Sequence, residues 1–260
     1  MIAGDVSPLA RNEQTSELAY VYGVVRSGSI GSVGTKGIGG GRVELVPRNG
    51  LTALVTFLPP ETPRVRPRDL HRHLAVLQDA FAATTILPCS FGTVVRAEDL
   101  RGGSTLLDQD EDELRGELDR LDGLVQMNVK AVYDEDALLR EIVAADSEIA
   151  RLRGVTQQLG DAGYYERLRL GELVASAVHA RREHDSERLV HALAPYAEEV
   201  VVEEPGGDGS LKTSFLVGRD RLAKFESAVE KLARAEQPQL SFEVVGPLPP
   251  SAFVARYDGR

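Results

Sequence analysis

Between Arg26 and Gly41 seven of sixteen residues are glycine: Gly28, Gly31, Gly34, Gly37, Gly39, Gly40 and Gly41. Neither a helix nor a packed strand tolerates that density, because each glycine adds backbone entropy and removes a packing group. The run therefore predicts a mobile loop, and it divides the front of the chain. Before it, Ala19 to Val25 is β-branched and aromatic, the composition of a strand. After it, Arg42 to Pro47 and Leu51 to Phe57 read as two more strands, joined through Arg48, Asn49 and Gly50. Asn-Gly is a strong hairpin signal, so these two strands are expected to pair antiparallel.

Beyond the proline-rich break from Pro59 to Pro67, Leu70, Leu74, Leu77 and Phe81 recur at helical spacing and predict an amphipathic helix covering the sheet. Pro88 stops its continuation, and Phe91 to Val95 reads as a short strand. Ala97 to Arg120 is charged, with Leu107, Leu114, Leu118 and Leu121 on one narrow side, which suits a connector helix. In the second half Leu124 to Tyr133 alternates as a half-buried strand, and Asp134 is placed to cap the next element. Asp146 to Pro195 is helical, interrupted near Gly160 and Gly163, with one long helix from about Asp161. Its stripe is Tyr164, Leu168, Gly171, Ala175 and Val178. A strand (Tyr196 to Val202), a turn (Glu204 to Gly209), a strand (Lys212 to Val217), a helix (Arg219 to Ala235) and a strand (Leu240 to Val245) complete the pattern. Gly246 to Pro250 then ends regular structure.

The second half thus has the βαββαβ order of a ferredoxin-like unit, and the first half repeats it with the glycine run in place of the first helix. The expected fold is α+β with two domains, an N-terminal modified ferredoxin-like domain and a C-terminal α+β domain. The expected boundaries are a disordered leader (1–18), an N-terminal domain with its connector helix (19–121), a C-terminal domain (122–246) and a proline-rich tail (247–260). With no tryptophan and 5% aromatic residues, the core must be aliphatic. Val21, Leu54, Leu74, Leu77, Phe91, Val129, Leu168, Phe225, Val229 and Val244 are expected to be buried.

The residues offer no convincing chemistry. Glycine-rich loops can cradle phosphate on backbone N–H groups, which opens the alternative of a cytosolic enzyme or ligand-binding protein using loop 26–41 for a phosphorylated ligand, with Lys36 and Arg42 as its cations. Yet Lys36 precedes Gly37 instead of standing between glycine and a hydroxyl residue, and Arg42 occupies the place of a third fingerprint glycine. His71, His73, His179, His184 and His191 have no cysteine partner or metalloprotease spacing, and solvated helix surface is the plainer reading. Cys89, the single cysteine, has no basic neighbour until Arg96 and reads as buried filler; alone it forms no intramolecular disulfide, which suits the cytoplasm. Asp108 to Glu113 is an acidic run without the spacing of a calcium loop. The formal charge of -10 argues against nucleic acid, and no long apolar run argues for a membrane span. No catalytic, cofactor-binding or metal residue is expected, and a protein-binding module fits better than an enzyme.

Seven short segments in order carry a resemblance: Tyr20 to Val25, His73 to Leu77, Leu87 to Val95, Val129 to Tyr133, Gly163 to Arg167, Phe215 to Val217 and Gly246 to Phe253. Together they resemble the gas vesicle protein F/L family over about residues 19–254. Leu248 and Ser251 stand where that family's tail usually carries aromatic residues, and the glycine run is longer than the family's. The resemblance implies an accessory or minor structural protein of gas vesicles. Its expected partners are the major hydrophobic shell protein, bound during assembly, and other gas vesicle accessory proteins. It implies no catalysis and no cofactor, and a location in the cytoplasm and at the gas vesicle.

Overall fold

The computed structural model describes residues 17–59, 66–102, 111–159, 162–204 and 209–254. The leader up to Ser16, the centre of the proline-rich break, Leu107 with the first half of the acidic run, Gly160, the centre of the turn after Glu204 and the last six residues lie outside these. The fold is α+β, and the described chain divides into two compact units, one ending at Arg120 and the other spanning Leu121–Val254.

In the first unit β1 (Leu18–Arg26) is the central strand. The hairpin β2 (Glu44–Arg48) and β3 (Leu51–Leu58) lies on one side of it, and β4 (Leu87–Pro88) and β5 (Val94–Arg96) pair with its other side, all antiparallel. Asn49 and Gly50 both have positive φ, 49° and 78°, as a two-residue hairpin turn twisted to match its strands requires. Between Leu18 and Arg26 no residue from Ala19 to Val25 is exposed, so both faces of β1 are covered.

The helix α1 (Leu70–Ala83) forms where expected but turns a different face inward. Its buried residues are His73, Val76, Leu77, Ala80 and Phe81, whereas Leu70 and Leu74 are exposed. The inward face is rotated by roughly 60° from the leucine stripe, taking 3.6 residues per turn. The charged stretch beyond β5 forms α2 (Ala97–Gly102) and α3 (Glu111–Arg120). Leu114 and Leu118 of α3 are buried, and Arg115 and Asp119 reach the Asn49 carbonyl and Arg26, so α3 packs within the first unit.

In the second unit the strand β6 (Leu124–Tyr133) pairs with both β8 (Leu211–Gly218) and β9 (Leu240–Leu248). With the short β7 (Glu199–Val202) the order is β7-β8-β6-β9. Asp134 caps α4 (Glu135–Ala145) by accepting from the Ala137 N–H at 2.8 Å. Then come α5 (Ser147–Leu159), the long α6 (Tyr164–Leu193) and, between β8 and β9, α7 (Leu222–Glu236). Phe225 of α7 meets Phe215 of β8, with ring centroids 5.2 Å apart. The first half of α6 packs on α4 and α5 through Leu170, Leu173, Val174, Ala177 and Val178, around Leu138, Ile142 and Ile149.

Six of the ten residues expected in the core are buried. Leu74, Phe91, Leu168 and Val244 are not: the first two lie on a rotated helix face and in a turn, Leu168 is on the side of α6 away from α4 and α5, and Val244 sits on an edge strand. The last strand also runs further than expected, through Gly246 and Pro247 to Leu248. An edge strand tolerates proline because one side of it makes no ladder bonds, and a register shift opposite Gln126 to Asn128 accommodates the turn of the chain. A side chain at position 246 would run into Met127, so the close approach requires glycine. The tail then packs back: the Ala252 N–H donates to Gln126 Oε1 at 2.9 Å and Phe253 is buried, although neither Leu248 nor Ser251 is aromatic.

Candidate functional site

The glycine run is tied down at several points, contrary to the mobile loop expected. Val33, Ile38 and Val43 are buried, and the Ile38 N–H donates to the Tyr22 hydroxyl at 2.7 Å. That hydroxyl also shares a hydrogen bond with Thr56 Oγ1 at 2.9 Å. The Thr35 N–H donates to Asp79 of α1 at 2.9 Å, and this backbone donor holds the Asp79 carboxyl below its ordinary range. Gly37, Gly40 and Gly41 N–H groups donate to carbonyls within the loop. The N–H groups of Thr35, Gly37, Ile38, Gly40 and Gly41 are thus engaged within the protein and withdrawn from any phosphate cradle, and Lys36 and Arg42 are exposed. Glycine is required at position 37, where a side chain would overlap the Tyr22 and Thr56 hydroxyls. Gly37→Ala is expected to cost about 1 to 3 kcal/mol, since overpacking here also breaks the hydroxyl pair. Gly31→Ala, which meets nothing within 4 Å, should leave a chemical denaturation midpoint unmoved.

The other candidates are dispersed or buried. His71, His179, His184 and His191 are exposed, and no cluster of three or more ligand-type residues exists among the described residues. His73 departs from the solvated reading: it is buried beneath β1, its Nδ1 2.9 Å from the Tyr20 hydroxyl, with the rings of Tyr22 and Phe91 against it. Burial lowers its pKa to about 4, against a smaller opposing effect of a hydrogen bond to the Cys89 backbone. Burial pushes the Cys89 thiol up to about 12, which leaves it no thiolate to use as a nucleophile. Glu111, Asp112 and Glu113 open α3, where the helix dipole favours acids; Asp108 to Asp110 lie outside the described residues.

Sequence patterning gives no sign of a buried charge cluster in the second unit. Asp185 of α6 is buried, accepts from Arg181 at 2.8 Å and Arg188 at 3.2 Å on its own helix, and receives the Tyr133 hydroxyl at 3.0 Å. Arg181 reaches Glu141 of α4 at 2.9 Å, and Arg188 reaches Glu236 of α7. Every carboxylate has a cation, so the cluster fixes α6 against its neighbours and leaves no group free for chemistry. Its spacing of four and three residues around Asp185 is visible in the sequence, but its burial is not.

What the second unit does offer is apolar surface. Tyr164 is 62%, Tyr165 79% and Leu168 52% exposed, at the start of α6. Of the stripe expected to be buried, Tyr164, Leu168, Gly171 and Ala175 are exposed and Val178 alone packs on α4 and α5, because the other side of the helix faces them. Scattered exposed leucines are ordinary, but the adjacent tyrosines, their ring centroids 5.5 Å apart, form an exposed apolar patch with a leucine on one helical turn. Further along α6, a groove of about 600 Å³ opens between that helix and the β7 edge.

A family model described as gas vesicle synthesis protein GvpL/GvpF matches residues 18–255. The chain belongs to the GvpL/GvpF family. Gas vesicle protein F of Streptomyces sp. (strain CB03234) is 37% identical over 239 residues, covering 90% of this chain and 98% of that one. Gas vesicle protein L of the same strain is 30% identical over 269 residues, covering 92% and 93%. The crystal structure of GvpF from Anabaena sp. PCC7120 matches with a TM-score of 0.77 at 25% identity, covering 92% of this chain and 98% of that one. The crystal structure of GvpF from Microcystis aeruginosa shares the fold, with a TM-score of 0.71 at 20% identity and the same coverage. The resemblance read from Tyr20 to Phe253 is thereby borne out. GvpL/GvpF membership gives this chain a gas vesicle role and association with other gas vesicle proteins, in a family of structural or accessory proteins that is not a known enzyme family. Among the described residues no helix is long and apolar enough to cross a membrane.

Proposed function

We propose that this GvpL/GvpF-family chain is a cytoplasmic accessory protein that binds the major gas vesicle shell protein and limits its aggregation before assembly. A protein whose assembled face excludes water exposes large apolar surface beforehand, and such surface aggregates unless it is covered. The observation that carries the reading is the unpartnered apolar turn of α6, Tyr164, Tyr165 and Leu168, on a chain of net charge -10. Apolar contact supplies affinity and the shared charge keeps the complex dissolved. The reading needs no cofactor, nucleotide or catalytic residue. We further read both units as ferredoxin-like, the first modified by its glycine loop, with domains at 19–121 and 122–246; the two sheets' shared order, with the first strand flanked by the third and fourth, supports this.

Co-expression tests the function. The shell protein is expected to remain in the supernatant and co-purify with this chain, and Tyr165→Asp with Leu168→Asp should reduce both without unfolding the protein, because these side chains are exposed. Equal aggregation beside an unrelated acidic protein, with no co-purification, would reject direct binding. Floating intact vesicles and probing the buoyant layer separates a wall component from a released chaperone.

A further inference from the structure

The groove between α6 and the sheet edge has a distinctive lining. Val190 of α6, Val202 of β7 and Leu211 of β8 form an apolar floor, and Val202 is exposed although it stands in a strand. Around that floor stand the carboxylates of Glu183, Glu187 and Glu203. The cations of the lining are Arg182, which lies over the Tyr133 ring beside Gly209, and Lys212, while His179 stands 3.3 Å from Glu183. The same edge carries Glu199 and Glu204 around its three consecutive valines, and Glu198 beside them is paired with Arg221. Among the described residues β7 pairs with β8 alone, which leaves its outer side open to another strand.

We infer that this groove binds an extended, amphipathic and basic segment of a partner protein, laid along β7 with small aliphatic side chains in the groove and lysine or arginine at its acidic rim. An open edge supplies backbone pairing, the valine and leucine floor accepts alternate side chains, and the carboxylates select the sign of the flanking charge. An acidic or neutral polar segment would bring like charge, or none, to the rim. The inference rests on the function proposed above only in taking the segment from a gas vesicle protein.

The test uses the full chain and two labelled seven-residue peptides that alternate valine with lysine or valine with glutamate, followed by fluorescence anisotropy. The lysine peptide is expected to bind saturably, about tenfold more weakly in 0.5 M than in 0.05 M salt, while the glutamate peptide does not bind. Val202→Asp, and separately Glu183→Lys with Glu187→Lys, should each weaken the lysine peptide by about tenfold or more. All three sites are on the surface, and circular dichroism checks that the variants remain folded. Equal binding of the two peptides, or binding that neither variant alters, overturns the inference. Co-purification of the shell protein is followed with the same variants. If it persists in both, the groove is not the shell protein's site and the proposed function survives; if the wild type never co-purifies the shell protein yet binds the lysine peptide, that function fails and the groove stands.

Discussion

Taking the protein from pH 7 to below pH 4 is expected to remove ~3 kcal/mol of stability through His73 alone. The ring's pKa is lowered from 6.5 to about 4, first by burial. The folded state therefore prefers the neutral ring, so the contribution is whole above pH 6.5 and is lost as the pH falls from there to about 4. That gap corresponds to ~3 kcal/mol at about 1.4 kcal/mol per pH unit. The geometry agrees. With a neutral ring, the Tyr20 hydroxyl donates to Nδ1 and accepts the Gly92 N–H at 3.1 Å, while the ring's own N–H serves the Cys89 backbone. Protonating Nδ1 makes it a second donor and strands the Tyr20 proton in a buried place. Asp79, whose carboxyl is stabilised by the Thr35 N–H, also loses stability in acid, so the readout is a difference. Denaturation of wild type and His73→Gln across pH 7 to 4 should show the wild type losing ~3 kcal/mol more. An NMR titration that places the folded His73 near 6.5 would refute the account.

His73 also marks the boundary of what the residues disclose. The strands are legible because their signals are local: β-branched runs, an Asn-Gly turn and the alternation from Val125 to Tyr133 follow from backbone geometry. The Asp134 cap is legible for the same reason. Which way a helix faces is a tertiary matter. In α1 the inward stripe includes Ala80 and a histidine, which hydropathy counts as weak or polar, whereas the exposed stripe includes Leu70 and Leu74. In α6 two apolar stripes exist, and only the presence of α4 and α5 decides that Leu170, Leu173 and Val174 are the packed, partly buried ones.

The site is less legible than the fold because it is defined by what is left uncovered. Tyr164 and Leu168 stand out in the sequence, but as core; their apolar character is real and their burial is not. The groove joins Val190, Val202 and Leu211, which are brought together only by the long helix crossing the sheet edge. The glycine run shows the converse. Its composition signals freedom, yet hydroxyls on β1 and β3 and a carboxylate on α1 capture its backbone, and each partner is an ordinary polar residue in an apolar element.

The rotation of α1 gives the sharpest test of packing against pattern. Leu77→Ala is expected to cost about 2 to 5 kcal/mol and Leu74→Ala no more than ~0.5 kcal/mol. Sequence periodicity treats the two residues alike, three positions apart on one stripe. In the structure Leu77 is 3% exposed and Leu74 is 51% exposed. Truncating Leu77 removes buried methyl groups and leaves a cavity between helix and sheet that neighbours held by β1 cannot close. Truncating Leu74 removes surface that water already reaches, and alanine's higher helix propensity offsets part of the loss. Equilibrium denaturation of both variants decides the matter through the midpoint at unchanged slope. Equal losses would mean that the leucine stripe faces the sheet, and His73 would then stand at the edge of the buried face, which weakens the pH dependence as well. The two measurements therefore constrain one rotation angle, through side chains on the buried face and at its edge.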